Sequence, residues 1–221
     1  MVDGEKDGSE DPKTSSKAPR SIRMPKDDNP SEAVDIFSLH LIKPHLGPNQ
    51  TEMASLKPPF TLETAREKVK FAQNMWNSQN PKQVSNGYSA DCIWRNRDHF
   101  FQGTEKIIEF LTKKWEKEAN YRLRKELFAF TDDKIAVQFW YEYQDRYDGM
   151  KWKRCYGLED WTFDRDTGKM RKRQMSGNDI VLGKNGDGLA VPEEGIQGRW
   201  YVDGVDVDDD KVTQKITEAH W

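Results

Sequence analysis

The sequence predicts an α+β fold in which helices come first and a run of antiparallel strands follows. Three observations carry that prediction. Leu62, Ala65, Val69, Ala72 and Trp76 recur at helical spacing. After Trp115 the apolar period drops to two. Asp/Gly clusters then punctuate the chain where hairpins need them: Asp132-Asp133, Asp148-Gly149 and Asp164 to Gly168. Strands that each need one buried face place the helices on one side of a curved sheet.

The elements follow in order. Thr61 is a helix cap, and the first helix runs to Asn77. Asn80-Pro81 opens a second short helix, because proline is favoured in a first turn. Residues 88–97 read as a strand. Thr104 caps a third helix whose apolar face is Ile107, Ile108, Leu111 and Trp115. Four strands follow: Tyr121–Phe130, Ile135–Asp145, Met150–Phe163 and Lys169–Ile180.

Composition bounds the rest. Of 221 residues, 35% are hydrophobic and 33% charged, a polar balance, yet 8 Trp, 7 Tyr and 10 Phe are too many aromatics for a disordered chain. A compact aromatic domain with polar extensions reconciles the two. The expected divisions are residues 1–57, an extension disordered over 1–32 with a short apolar arm at Val34–Ile42; residues 58–183, the folded domain; and residues 184–221, an acidic, turn-rich extension. Residues 1–57 hold 8 basic and 10 acidic side chains, and residues 184–221 hold 4 and 9, which leaves the middle mildly basic. That is no nucleic-acid footprint, which needs a concentrated basic stripe. Nothing approaches the roughly 20 apolar residues of a spanning helix, and the acidic start MVDGEKDGSEDP is no secretory signal. A cytoplasmic protein without membrane or nucleic-acid partners is expected.

Cys92 and Cys155 give neither a disulfide framework nor zinc spacing and read as buried thiols. The four histidines do not cluster, so no metal is expected, and no phosphate-binding glycine loop or nucleophile elbow points to a cofactor. Asp206 to Asp210 starts like a calcium loop but lacks the turn glycine and the final Glu.

Strand parity decides which side chains face inward. With Asp132-Asp133 as the loop, Phe128 opposes Val137, Glu126 opposes Phe139 and Arg124 opposes Tyr141. That is the more aromatic face, and it is assigned to the interior. Asp148-Gly149 as the next loop brings Tyr156 opposite Tyr141 and Asp160 opposite Val137. Pairing Phe163 with Met170 sets Arg173 against Asp160 and Asp179 against Arg154. A single bulge would instead bring in Glu159 and Trp161.

In this register Glu126 sits among rings, loses hydration and becomes a candidate general acid or base; a structural ion pair with Arg124 is the competing reading. Trp94, Asn96, Tyr141, Arg154, Tyr156, Asp160 and Asp179 are the candidate ligand-binding residues. Asp160–Arg173 and Asp179–Arg154 also read as ion pairs tying strands together, and Trp94 as plain core. Lys125, Trp140 and Glu142 fall on the outer face.

The stretches PPFTLETA (58–65), WNS (76–78), WRNR (94–97), FLTKKW (110–115), YRLRKELFAF (121–130), IAVQFWYEY (135–143) and YGLEDW (156–161), with Asn178-Asp179, resemble an uncharacterised family of the nuclear transport factor 2-like superfamily. That superfamily includes SnoaL-type polyketide cyclases and ketosteroid isomerases. The resemblance covers roughly residues 58–183. It implies a cone-shaped, cystatin-like α+β barrel wrapped around the N-terminal helices, a conical pocket, and a homodimer through the outer sheet face. It supplies no activity. The family pattern carries Asn at Leu158 and Asp160 and His at Gln144, so this chain departs from it there.

Two functions follow as expectations. One is a pocket for a small, largely apolar or aromatic molecule, with isomerase-, cyclase- or dehydratase-type acid–base chemistry by Glu126. The other is a non-catalytic interaction module whose cone is filled by its own side chains. An open cavity separates the first from the second.

Overall fold

The computed structural model describes residues 56–211, and the apolar arm, His40, His45, His220 and the last ten residues lie outside that span. Three helices precede and interrupt six strands. α1 (Leu62–Asn77) and α2 (Pro81–Ser85) lead into β1 (Tyr88–Asn96) and β2 (His99–Gln102), and α3 (Thr104–Lys117) into β3 (Glu118–Phe130), β4 (Lys134–Asp145), β5 (Lys151–Phe163) and β6 (Met170–Val181). Thr61 caps α1 through a reciprocal box with Thr64, and Asn80 caps α2 with Pro81 in its first turn. Thr104 is the first residue of α3 rather than its cap, which is Gly103.

The sheet order is β2-β1-β6-β5-β4-β3. It is mixed, not all antiparallel as expected, because β1 runs parallel to β6. The helices cover one face of this curved sheet, giving the expected α+β cone, but the sheet stays open with β2 and β3 as its edges. Edge strand β3 is capped by α1. Asn77 exchanges two hydrogen bonds of 2.8 Å with the Leu123 backbone, Gln73 accepts from Lys125 N at 2.8 Å, and Lys70 donates to Lys125 O at 2.8 Å. These side chains replace the missing neighbour strand.

The register corrects the expected one in two places. A bulge at Phe128 separates the Leu127–Val137 and Ala129–Ala136 pairs, so Lys125 and not Glu126 opposes Phe139. The β4–β5 loop is the five residues Arg146–Met150, with Gly149 and Met150 both at positive φ, and closes on Asp145–Lys151. One residue of slip turns β5 over: Cys155, Gly157, Glu159 and Trp161 face inward, and Arg154, Tyr156, Leu158 and Asp160 outward. An irregularity between Thr162 and Phe163 restores the expected Phe163–Met170 pair, so Arg173, Met175 and Asp179 keep their inward parity.

Gly157 lies where the Phe139 ring crosses β5. A Cβ there would stand 2.1 Å from the ring edge and 2.6 Å from Ser176 O. Phe139 in turn stacks on Tyr141 at 6.0 Å in a core that includes Trp76, Trp94 and Trp161.

Trp140 and Glu142 do lie on the outer face, but neither is exposed, and Lys125 is inside. Residues 197–201 of this chain pack over that face. Arg154 and Glu142 form a buried pair, Trp200 N and Tyr201 N donate to the Glu142 carboxylate at 2.8 and 3.0 Å, and the Arg154 guanidinium lies 3.4 Å beneath the Trp200 ring. Further along, Asp208 binds Lys70 and Gln73, and Asp210 binds Arg124. Among the described residues no helix is long and apolar enough to cross a membrane.

Candidate functional site

The inward faces of β3, β5 and β6 bring a charged cluster into the aromatic core. Glu159 accepts from Lys125 at 2.9 Å, Arg173 at 2.7 Å and the Trp161 indole at 2.6 Å. Arg173 also donates to Asn96 Oδ1 at 3.2 Å and lies over the Trp94 and Trp76 rings at 4.5 and 4.8 Å. Burial alone would raise the Glu159 carboxyl, but Arg173 and Lys125 outweigh it and hold it at about 2. Burial lowers Lys125 to about 8 despite its partner.

Toward the end of the cone where α3 meets β3, the interior opens into a cleft of about 730 Å³. Its walls combine aromatic residues (Phe110, Tyr141, Tyr143) with ion pairs, of which Lys114–Glu118 and Arg97–Asp179 are less exposed than the pairs of Glu109 with Lys106 and Lys113. Lys114, in the last turn of α3, reaches Glu118 four residues on, and its ammonium stands 4.3 Å over the Tyr141 ring. Arg97, held at a φ of 58° just past β1, binds Asp179 at 2.8 Å and Cys155 Sγ at 3.1 Å.

Burial pushes the Glu118 carboxyl up, Lys114 opposes, and Asp179 pushes it further up. Burial also raises the Tyr141 phenol well above its usual value, so it stays a neutral hydrogen-bond donor. Burial likewise takes the Cys155 thiol up to about 12, away from nucleophilic use. The cleft thus offers one carboxyl that holds a proton beyond the ordinary range, one carboxylate neutralised by arginine, and a phenol. Among the described residues no three His, Cys, Asp or Glu gather as metal ligands.

The expected site residues separate. Asn96, Tyr141 and Asp179 line the cleft. Trp94 is fully buried in the ring cluster behind it. Arg154, Tyr156 and Asp160 point to the opposite face: Arg154 and Tyr156 bind Gln197, and Asp160 binds Gln174. Glu126 is on that side too, paired with Lys70 at 3.0 Å and Arg124 at 2.7 Å, so its expected lodging among rings is corrected by the Phe128 bulge. Arg97, Lys114 and Glu118 escape a parity reading because they lie at a strand end, on a helix and at a helix–strand junction, whereas Tyr143 shares the inward parity of Tyr141 on β4. The Lys114–Glu118 spacing of four was the available signal.

Residues 58–187 match the family model described as a protein of unknown function, DUF1348. The chain belongs to that family. No curated protein matches the chain significantly. Among solved structures it is similar to the epoxide hydrolase/cyclase-like enzyme SalBIII of pyran ring formation in the polyether salinomycin, with 13% identity, TM-score 0.49, and 54% of this chain and 97% of that one covered. It is also similar to a type 2 hexachlorocyclohexane dehydrochlorinase (10%, 0.46, 55% and 90%). A third is a ketosteroid isomerase-like protein from Catenulispora acidiphila in complex with trimethylamine (11%, 0.46, 50% and 85%). Likenesses this distant transfer no residue's role.

Proposed function

We propose that this DUF1348 protein binds a small molecule in the cleft and exchanges a proton with it through Glu118. The observation that supports this reading is the cleft itself, about 730 Å³ and walled by Glu118, Asp179 and Tyr141 together. Charged pairs beside aromatic faces suit an amphipathic molecule rather than a largely apolar one. Tyr141 donates to a ligand oxygen, Arg97 pairs with Asp179, and the raised Glu118 carboxyl gives or takes the proton.

Native mass spectrometry of protein exposed to a metabolite extract tests the binding, with a retained small molecule expected and weakened by Tyr141→Ala. With that molecule as substrate, Glu118→Gln loses turnover at unchanged affinity, and Glu126→Gln keeps full turnover. Absence of any retained molecule, or full turnover by Glu118→Gln, overturns the reading.

One observation favours a second reading, the homodimer through the outer sheet face: Leu158, on the part of that face beyond the 197–201 contacts, is 53% exposed. Sedimentation as a monomer at micromolar concentration removes it.

A further inference from the structure

A second, smaller cavity of about 10 Å³ lies deeper in the cone, room for about one water-sized atom. Asn96, Lys114 and Tyr141 line both it and the open cleft, so these three form the partition between them. The charges around the inner space are unbalanced. Lys114, Lys125 and Arg173 line it against a single carboxylate, Glu159. Adding Glu118, the partner of Lys114, still leaves three cations and two carboxylates; burial pushes Glu118 toward its neutral form, and also lowers Lys125, though only to about 8, so it stays mostly charged at pH 7. Arg173 is 2% exposed, and its Nε is buried without a hydrogen-bond partner. A buried positive charge without a counter-charge is costly, and a buried N–H without an acceptor adds to the cost. An anionic oxygen in the inner space relieves the first of these costs.

We propose that the inner cavity is the anion subsite of the cleft and that the ligand is a small monocarboxylate. The Lys114 side chain swings off the Tyr141 ring, on which its ammonium rests at 4.3 Å, and one carboxylate oxygen enters the inner space to meet Lys125 and Arg173, while the carbon body stays against Tyr141 and Tyr143. Room for a single oxygen disfavours phosphate and sulfate, whose several charged oxygens would have to be desolvated together. This inference rests on the reading of the cleft as a ligand site and adds the chemical class of the ligand.

The test titrates the full-length protein at pH 7 with benzoate and with its neutral isostere benzamide, followed by calorimetry, and repeats the benzoate arm with acetate and 3-phenylpropionate to vary the body. At least one carboxylate is expected to bind ten times more tightly than its amide. Lys125→Met is expected to weaken benzoate binding at least tenfold more than benzamide binding; an equal loss for both overturns the subsite. Lys114→Met, at the partition, is the second variant should Lys125→Met fail to fold, and it too reduces the preference. Equal binding of carboxylate and amide overturns the anion subsite and leaves the cleft standing. Carboxylate preference intact in Lys114→Met overturns it as well. If no carboxylate binds while the mass spectrum shows a neutral molecule retained, the class is wrong but the cleft is right; if nothing is retained, both fall.

Discussion

Glu159 and Arg173 form an ion pair of 2.7 Å deep in the core, two residues out of step across the β5–β6 pair, where Glu159 opposes Met175. The same carboxylate oxygen holds Lys125 at 2.9 Å, so one anion serves two buried cations. Glu159→Gln keeps the shape and leaves both cations without a counter-charge. Breaking a buried pair from one side costs about 3–5 kcal/mol. Urea unfolding of the variant should show a loss in that range, and adding Lys125→Met should restore part of it. A loss below about 1 kcal/mol would mean that water reaches the cluster.

The cluster also sets a pH signature. Lys125 titrates at about 8 in the folded protein against 10.5 when unperturbed, because burial disfavours its charge. Between those values the unfolded chain binds more protons than the folded one, so stability rises with pH. The Glu159 contribution has the same sign in a lower window: it is complete above about 4.5 and is lost as pH falls through about 2. Urea midpoints measured from pH 7 to pH 9 should climb above pH 8. That climb should shrink in Lys125→Met, leaving the part due to Lys68, which burial also lowers to about 8. Above pH 9 the buried Cys92 and Cys155, raised to about 12, oppose the climb, and above pH 10 the buried tyrosines, whose raised values favour the neutral folded form, reverse it.

On the outer face, Tyr201 is 1% exposed and its N–H, with that of Trp200, satisfies Glu142. Tyr201→Ala therefore removes a buried ring, a change that costs about 3–5 kcal/mol when an aromatic core residue is truncated. Ending the chain at Leu182 removes the residue 197–201 cover from the Arg154–Glu142 pair. The truncated protein should melt lower in a thermal scan and associate in sedimentation. Unchanged melting would mean that residues 184–211 do not hold to the sheet in solution.

How much of this could be read in the sequence varies with the kind of signal. Helix starts at Thr61 and Asn80 and all four long strands are legible, because capping chemistry and alternation are local. The strand His99–Gln102 is hidden, being only four residues long and mostly exposed. Register is another matter: it depends on where a bulge falls and how long a loop is. One extra residue at Phe128 exchanges Lys125 for Glu126, and one at the 146–150 loop exchanges Glu159 for Asp160. Asn96, Tyr141 and Asp179 come through because β1, β4 and β6 keep their parity, whereas every candidate on β3 and β5 changes face. The cover over Trp140 is equally out of reach, since it comes from a turn-rich stretch with no periodicity.

The last prediction concerns Gly157. Its backbone is in ordinary strand conformation, so the requirement for glycine is one of space alone: Phe139 occupies the volume a side chain would fill, and Ser176 O closes the other side. Gly157→Ala must push the Phe139 ring toward Lys125, whose ammonium lies 5.0 Å from its centre, and toward Tyr141 stacked on it. Overpacking of this kind costs about 1–3 kcal/mol, and more where backbone blocks one direction of relief. The loss should appear in urea unfolding together with a changed near-ultraviolet circular dichroism spectrum, because Phe139, Tyr141 and Trp161 share one packed cluster. Pairing the variant with Phe139→Leu, which vacates the ring volume, should recover stability relative to Gly157→Ala alone. Additive losses in the double variant would show that the two sites do not share the space, and the inward parity of β5 would then be wrong.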